Sequence, residues 1–387
     1  MSQFNVFEQV IKQISRLEFQ SSVYQHGGDK GIRQLSCWDW FGALLFGQLT
    51  GHDSIRAIER VFSHGNSRMK KLGFATVCRS TLADANRTRP LAILEDTLAA
   101  LVKRAQVLAP KNIDLSVKGK VLALDSTMIE LCLSLSPWAK HKEDTAAVKL
   151  HTAIDLRGDL PEFFVITPGK VNDLIAAKKY FTFKFGSTVV FDRGYWSAEW
   201  FGKLNESGVF FVTRSKSNLR FKVSESRKTD RTQGIICDQV VYQRLKKYRY
   251  TSCFKGKLRR ISYRDPDTNK KLTFITNRWD LTAKQICDLY KARWKVELFF
   301  KAMKQNLRIK KFLGTSAHAV KAQILVALIA YVLVQMIRFS LKTNISLPDA
   351  MAVIGVLLLI NEPLSRLLGN IPRTSRYPPS CQLSFNF

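Results

Sequence analysis

Two short apolar runs, each stopped by an aspartate, constrain the fold of this chain most. "VLALDSTM" (121–128) reads as a strand ending in Asp125, and "STVVFDRGYWS" (187–197) as a second strand ending in Asp192. Between them, "AAVKLHTAIDLRGDLPEFFVIT" (146–167) reads as two strands joined by a tight turn at "LRGD". "VNDLIAAKKYF" (171–181) follows as a helix with Asn172 or Asp173 near its start. After the second aspartate come a helix, "AEWFGKLNESG", and a strand, "VFFVTR" (209–214). The order strand, hairpin, helix, strand, helix, strand predicts a mixed α/β sheet with crossover helices. In open α/β sheets ligands bind beyond the carboxyl ends of strands, where both aspartates are expected.

The flanking regions have a different grammar. Residues 1–110 carry apolar residues at helical spacing, broken at "HGGDKG", "TGHD" and "SHGNSR". Within them "CRSTLADANRTRP" (78–90) predicts a helix capped at Ser80 or Thr81, with Asp84 completing a capping box. That helix would present Arg87 and Arg89 to DNA; a plain capped helix is the alternative. Residues 214–271 read as a β-rich insertion holding 18 Lys/Arg against 5 Asp/Glu. Its aromatics Phe221, Tyr242, Tyr248, Tyr250, Phe254 and Tyr263 interleave with the bases, among them Lys246, Lys247 and Arg249, as in a nucleic-acid groove. The sheet pattern resumes at "KLTFITN" (271–277). The resulting division is a helical N-terminal domain (1–110), a central α/β domain (111–340) containing the insertion, and a C-terminal helix with a disordered tail (341–387).

Charge narrows the function. The chain has 61 Lys/Arg and 31 Asp/Glu, a net charge of +30, so its expected partner is a polyanion, most often nucleic acid. Hydrophobic residues make up 46%, which excludes a disordered basic tail. A membrane is disfavoured: the longest apolar run, "AQILVALIAYVLVQMI" (322–337), includes Gln323 and Gln335 and falls short of the roughly 20 residues that a span needs. The segment 350–360 is shorter still, and both read as buried helices. No signal peptide is visible at the start. Seven cysteines without C-x-x-C spacing suit a reducing cytoplasm, and six scattered histidines leave carboxylates to hold any metal.

The stretch "YKARWKVELFFKAMK" (290–304) keeps a single acid, Glu297, among bases. At about 100° per residue, Tyr290, Arg293, Glu297, Lys301 and Lys304 share one face of a helix. Val296, Phe299, Phe300, Met303 and Leu307 form a separate, buried face. Alone, Glu297 reads as an i,i+4 ion pair with Arg293 or Lys301. Together with Asp125 and Asp192 it makes three acids from separate elements, a set suited to Mg²⁺ and to two-metal phosphoryl transfer.

The stretch fits Y-x2-R-x3-E-x6-K at Tyr290, Arg293, Glu297 and Lys304. It resembles the signature of bacterial insertion-sequence DDE transposases of the family usually called IS-four. "LALDSTMIEL" and "VVFDRGYW" resemble that family's two aspartate blocks. The resemblance implies an RNase H-like domain in which Asp125, Asp192 and Glu297 hold two Mg²⁺ ions, with Mn²⁺ as a substitute. It implies cut-and-paste transposition through a hairpin intermediate, with Tyr290, Arg293 and Lys304 on phosphates. The implied partners are the transposon's terminal inverted repeats and target double-stranded DNA, bound by a homodimer in the synaptic complex at the nucleoid. Similar enzymes stack an insertion-strand Trp on a flipped base. Here position 272 is Leu, and no Trp lies between Trp200 and Trp279. The alternatives are an inactive transposase-derived DNA-binding protein and another RNase H-like nuclease.

Overall fold

The structure is a computed structural model that describes residues 4–64, 66–110, 117–134, 136–244, 254–305, 307 and 312–369. Before the first strand come helices α1 (Val6–Ile11), α2 (Arg16–Gln25), α3 (Cys37–Thr50), α4 (Ile55–His64), α5 (Asn66–Lys71), α6 (Arg79–Thr88) and α7 (Ala92–Leu108). Their ends follow local chemistry. Ser36 and Asp39 close a capping box on α3, and Gly51, at φ 71°, ends it in the left-handed region that glycine tolerates. Helix α6 departs from expectation. It starts at Arg79, and Cys78 makes no side-chain cap. Instead the Arg79 N–H donates to Glu59 Oε1 of α4 at 2.7 Å, so a remote carboxylate supplies the cap and the expected box of Ser80 or Thr81 with Asp84 does not form.

Then come β1 (Val121–Leu131), β2 (Lys140–Lys142), β3 (Thr145–Asp155), β4 (Leu160–Pro168), helix α8 (Asp173–Tyr180), β5 (Thr188–Phe191), helix α9 (Ala198–Glu206) and β6 (Phe210–Arg214). Strand β3 pairs antiparallel with β1 and with β4. Strands β1, β5 and β6 are parallel. The core order β4-β3-β1-β5-β6, with a leading hairpin and two helical crossovers, is RNase H-like. The short β2, which has no strong apolar alternation, escapes the sequence reading; it pairs with the start of β3.

Strands β7 (Arg220–Ser226), β8 (Ile235–Arg244), β9 (Leu258–Arg264) and β10 (Lys271–Thr276) extend the same sheet, since β10 pairs antiparallel with β6 and β9, β8 and β7 follow. Their aromatics mostly turn inward. Phe254 is buried, and Phe221 and Tyr263 pack against the two cores, leaving Tyr242 exposed. Tyr248 and Tyr250 lie outside the described residues.

The chain ends in α10 (Ala283–Ala292), α11 (Trp294–Gln305), α12 (Ala317–Ser340), α13 (Leu347–Val356) and α14 (Leu364–Gly369). The stretch 290–304 is therefore two helices, broken at Arg293, which caps α10 and donates its N–H to Tyr290 O at 3.2 Å. Lys295 holds the new helix to the β3–β4 turn through Leu156 O (2.9 Å) and Asp159 Oδ1 (3.0 Å). That tertiary anchor leaves no Gly or Pro signal in the sequence.

Strand alternation sorts the core into two layers. Val121 and Ala123 of β1 face α11 and α12, while Leu122 and Leu124 face Ala177 of α8 and Phe201 of α9. Helix α12 is the axis of a helical body in which α3, α6, α7 and α13 pack around it. Among the described residues it alone is long and apolar enough to cross a membrane, and 94% of its apolar window is buried inside the protein. The two ends of the chain meet here: Val6 N donates to Ile360 O (3.0 Å) and Phe7 N to Leu358 O (2.8 Å). The N-terminal helices thus share one continuous core with the C-terminal ones. The segment 370–387, expected to be a disordered tail, lies outside the described residues.

Candidate active site

Asp125 does not end β1, which runs on to Leu131. It marks where β1 loses one of its two neighbours. Pairing with β5 stops at Leu124↔Phe191, whereas pairing with β3 continues to Leu131↔Ala146. The strands splay from there, and Asp192 stands at the other lip as the cap of a 3₁₀ turn over Arg193–Tyr195. Its Oδ1 accepts from Gly194 N at 2.7 Å. Helix α11 packs across β1 and brings Glu297 to the same crevice.

Arg293 joins two of the acids. Its Nη1 donates to Asp125 Oδ2 at 3.1 Å and its Nη2 to Glu297 Oε1 at 2.6 Å. Burial alone would lower its pKa, but Tyr290, Asp125 and Glu297 more than offset this and raise it. Asp125 shows the opposite strain. Burial pushes its carboxyl up to about 6, with Asp192 and Glu297 adding to the rise, against the Ser126 N–H and Arg293. Tyr290 packs its ring 4.8 Å from that of Phe274 on β10, with the Arg293 guanidinium 5.7 Å from the tyrosine ring. Lys301 is exposed and Lys304 half-buried on the same helix.

Among the described residues, no three acidic, histidine or cysteine side chains stand close enough to hold an ion as they are. The guanidinium lies between two of the acids, as a cation would. The donor set fits a divalent metal: three carboxylates offer hard oxygen ligands, and an organic cation already balances part of their charge. The hydroxyl of Tyr195 is buried near Asp125 and Asp192, beside the Ser126 side chain.

Other predicted residues fall elsewhere. Arg89 is buried, at 5% exposure, and donates to Gly28 O at 2.6 Å and to Leu35 O. It ties α6 to the loop before α3, and the expectation that it contacts DNA is corrected: a guanidinium enclosed in the interior, with Nη1 and Nη2 on backbone carbonyls, cannot reach a phosphate. Arg87 is exposed and pairs with Asp84 at 2.7 Å. Lys246, Lys247 and Arg249 lie outside the described residues. Leu272, at the position where similar enzymes would carry a base-stacking Trp, is half-buried in β10.

The sequence reading missed the polar floor beneath the crevice. Ser126 Oγ donates to Asp173 Oδ1 (2.7 Å), which also meets Lys149 Nζ (3.1 Å) and lies 3.4 Å from His151 Nδ1. Burial lowers the His151 pKa to about 4, so it is neutral near pH 7. The available signal was period-2 spacing: Lys149 and His151 share a face of β3, and His151 is opposite Ser126.

An RNase H-like sheet with acids at its β1/β5 splay and a third on a helix crossing β1 defines the DDE class of nucleic-acid enzymes. The family described as "Transposase DDE domain" matches residues 117–333, more than half of the chain, and the chain belongs to it. A domain of unknown function matches residues 2–75. A transposase of Sinorhizobium fredii is 33% identical over 258 residues, covering 66% of this chain and 70% of that one. A transposase for insertion sequence element IS5377 of Geobacillus stearothermophilus is 28% identical over 290 residues, covering 74% of each chain. The transposase for insertion sequence element IS231E of Bacillus thuringiensis subsp. finitimus is 22% identical over 280 residues, covering 58% of this chain and 57% of that one. The protein is thus an insertion-sequence DDE transposase: it binds DNA, cleaves it and transfers strands, and its family works with divalent metal ions.

Proposed function

We propose that the enzyme moves its insertion sequence by cut and paste, with Asp125, Asp192 and Glu297 as the metal-holding catalytic acids. The observation that carries this reading is the meeting of Asp125, from β1, and Glu297, from α11, on one guanidinium. Two Mg²⁺ ions, with Mn²⁺ as a substitute, would activate the attacking oxygen and stabilise the leaving one in an in-line displacement. The chain's own residues do the rest. With the acids engaged on metal, Arg293 turns its planar fork to a phosphate, and Tyr290, Lys301 and Lys304 extend that contact along the strand. The attacking group is first water, then the freed 3′-OH, which closes a hairpin on the opposite strand; reopening and joining to target DNA follow.

Recognition of the terminal inverted repeats falls to the helices of residues 1–110, with exposed Arg87 on α6 as a contact. The basic strands of 214–271, together with Lys246, Lys247 and Arg249, follow the DNA backbone. A homodimer brings two ends together, and the enzyme works in the bacterial cytoplasm at the nucleoid.

Gel shift and single-turnover cleavage on one set of end duplexes test the assignment. Glu297→Gln should leave end binding intact and stop cleavage at every protein concentration. Arg293→Ala should weaken binding and slow cleavage, with partial recovery at low salt, and Arg293→Lys should restore only part because it loses the bidentate fork. Cleavage by Glu297→Gln at the wild-type rate would return Glu297 to a surface ion pair.

A further inference from the structure

Glu297 rides on α11, a helix that restarts after the break at Arg293, so its place over β1 depends on what holds the new helix. Lys295, the second residue of α11, reaches the β3–β4 turn. There its Nζ donates to Leu156 O at 2.9 Å and pairs with Asp159 Oδ1 at 3.0 Å. The backbone of Leu156 works in two directions. Its O accepts from Lys295, and its N–H donates to Val121 O of β1 at 2.9 Å. Val121 opens the strand that carries Asp125 four residues on. The helix of one acid and the strand of the other are therefore referenced to one residue. The turn is also held from α12. Tyr331, 1% exposed, donates its hydroxyl to Asp159 O at 2.7 Å. Gln335 Nε2 donates to that hydroxyl (3.3 Å), Gln335 Oε1 accepts from Arg338 Nη1, and Arg338 Nε donates to Ile345 O (2.9 Å). From Arg338 each group donates to the next, so the string ends on Asp159 with its donors aligned. Asp159 sits at φ 52°, a left-handed backbone that aspartate tolerates better than most residues but that needs surroundings to fix it. Tyr331 and Gln335, buried polar groups of apolar α12, thus fix a turn that grips α11 through Lys295.

We propose that Lys295 is a positioning residue for the transposition chemistry: anchored on the β3–β4 turn, it keeps Glu297 in register with Asp125 so that both reach a bound divalent ion. The proposal rests on the assignment of Asp125 and Glu297 as metal ligands. In the metal-free protein Arg293 bonds to both acids and suffices to hold them together. Once that guanidinium turns to a phosphate, the bridge is gone and the two carboxylates repel. The link from Val121 through Leu156 to Lys295 uses neither acid, so it persists through that exchange. Register matters because a displacement of about 1 Å can cost on the order of 100-fold in rate. An ammonium suits the task, since its three donors serve a carbonyl and a carboxylate at once.

Mn²⁺ binding to the full-length chain, followed by the electron paramagnetic resonance signal of the free ion, tests this without reference to activity. Lys295→Met keeps the aliphatic stem and removes the ammonium. It should weaken Mn²⁺ binding by about 10- to 100-fold, the effect typical of lost outer partners of metal ligands. Lys295→Arg, which still donates to both acceptors, should recover most of the loss. Asp159→Asn keeps a residue that tolerates positive φ, and should weaken binding less because Leu156 O still holds Lys295. If Lys295→Met does not fold, Asp159→Asn carries the test, and Mn²⁺ affinity equal to wild type in it overturns the proposal. In a folded Lys295→Met, unchanged Mn²⁺ affinity would overturn it, whether the variant loses only stability or its DNA salt slope becomes shallower by about one unit. The first result marks a packing role and the second a phosphate contact. Glu297→Gln separates the levels. If it binds Mn²⁺ as wild type does, or if wild type binds none, the ligand assignment itself fails. If Glu297→Gln abolishes binding and Lys295→Met leaves it unaltered, only the role of Lys295 fails.

Discussion

Two arginines, the buried Arg259 in the extended sheet and the half-buried Arg293 in the crevice, are built to opposite standards. Arg259 is 1% exposed and presents its fork to Asp238, Nε to Oδ1 at 2.9 Å and Nη2 to Oδ2 at 2.7 Å. Its remaining Nη1 donates to Leu281 O (2.6 Å) and Arg278 O (3.3 Å), next to Thr282, the N-cap of α10. One charge meets one charge, and the donors are used. Arg293 reaches two acids with one bond each, its Nε is buried without a partner, and a third acid, Asp192, lies near Asp125. The first arrangement is finished. The second sets several carboxylates against one partly bonded guanidinium, the imbalance on which the proposed metal role of these acids rests.

The sharpest way to break this contrast is to remove one partner from each pair. Asp238→Ala leaves an uncompensated guanidinium in the interior, and should destabilise the protein by about 3–5 kcal/mol. Because Arg259 also holds the turn before α10, the loss should appear as cooperative unfolding. Asp125→Ala should cost far less, since Arg293 keeps Glu297 and the remaining acids repel less. Urea titration of both variants, with a chelator present, reads the difference. Equal losses would mean that the crevice pair is as structural as the other.

A second test uses pH. Asp125 has its carboxyl raised from 3.8 to about 6, chiefly by burial. A folded state that holds a proton more tightly than the unfolded state gains stability where that proton is bound. The contribution is fully present below about pH 3.8 and is lost as pH rises through about 6. Its full size is up to about 3 kcal/mol at 1.36 kcal/mol per pKa unit. Metal-free protein should therefore lose stability across this window, and Asp125→Asn should flatten the loss. Saturating Mg²⁺ should also flatten it, by supplying the missing positive charge. A loss that persists in Asp125→Asn would place its origin in another group.

The contrast also explains what was legible in the sequence. The end of β5 before Asp192, the hairpin and the crossover helices were readable because alternation and turn residues are local properties, whereas Asp125 lies inside β1 and not at its end. The buried fate of 322–337 followed from its two glutamines, although the helix that carries it, Ala317–Ser340, is longer than the apolar run. Apart from the short β2, which lacks alternation, tertiary partners supplied what was missed. Glu59 caps α6 from another helix, Lys295 anchors α11 after an unmarked break, and Arg89 is drawn inward by the carbonyls of Gly28 and Leu35. The floor of the crevice was missed for the same reason. Ser126, Lys149 and Asp173 are unremarkable in sequence and acquire meaning only when β1, β3 and α8 bring them together.

The smallest effect concerns α6, where the same distinction recurs two residues apart. Arg87 and Asp84 are both largely exposed, at 64% and 66% of their side-chain surface, and form an i,i+3 pair. Such a pair contributes about 0–1 kcal/mol, so Arg87→Ala should leave the denaturation midpoint nearly unmoved. Its effect should appear on DNA. If Arg87 replaces Asp84 with a phosphate on binding, the variant should bind end duplexes more weakly, with a log–log salt slope shallower by about one unit. Asp84→Ala should do the reverse, strengthening binding because a competing carboxylate is gone. Arg89→Lys supplies the contrast. A lysine has neither the reach nor the fork for two backbone carbonyls, so this variant should lose stability while the salt slope is kept. An unchanged slope in Arg87→Ala would remove α6 from the DNA interface and leave the division between a satisfied and a waiting arginine to the crevice alone.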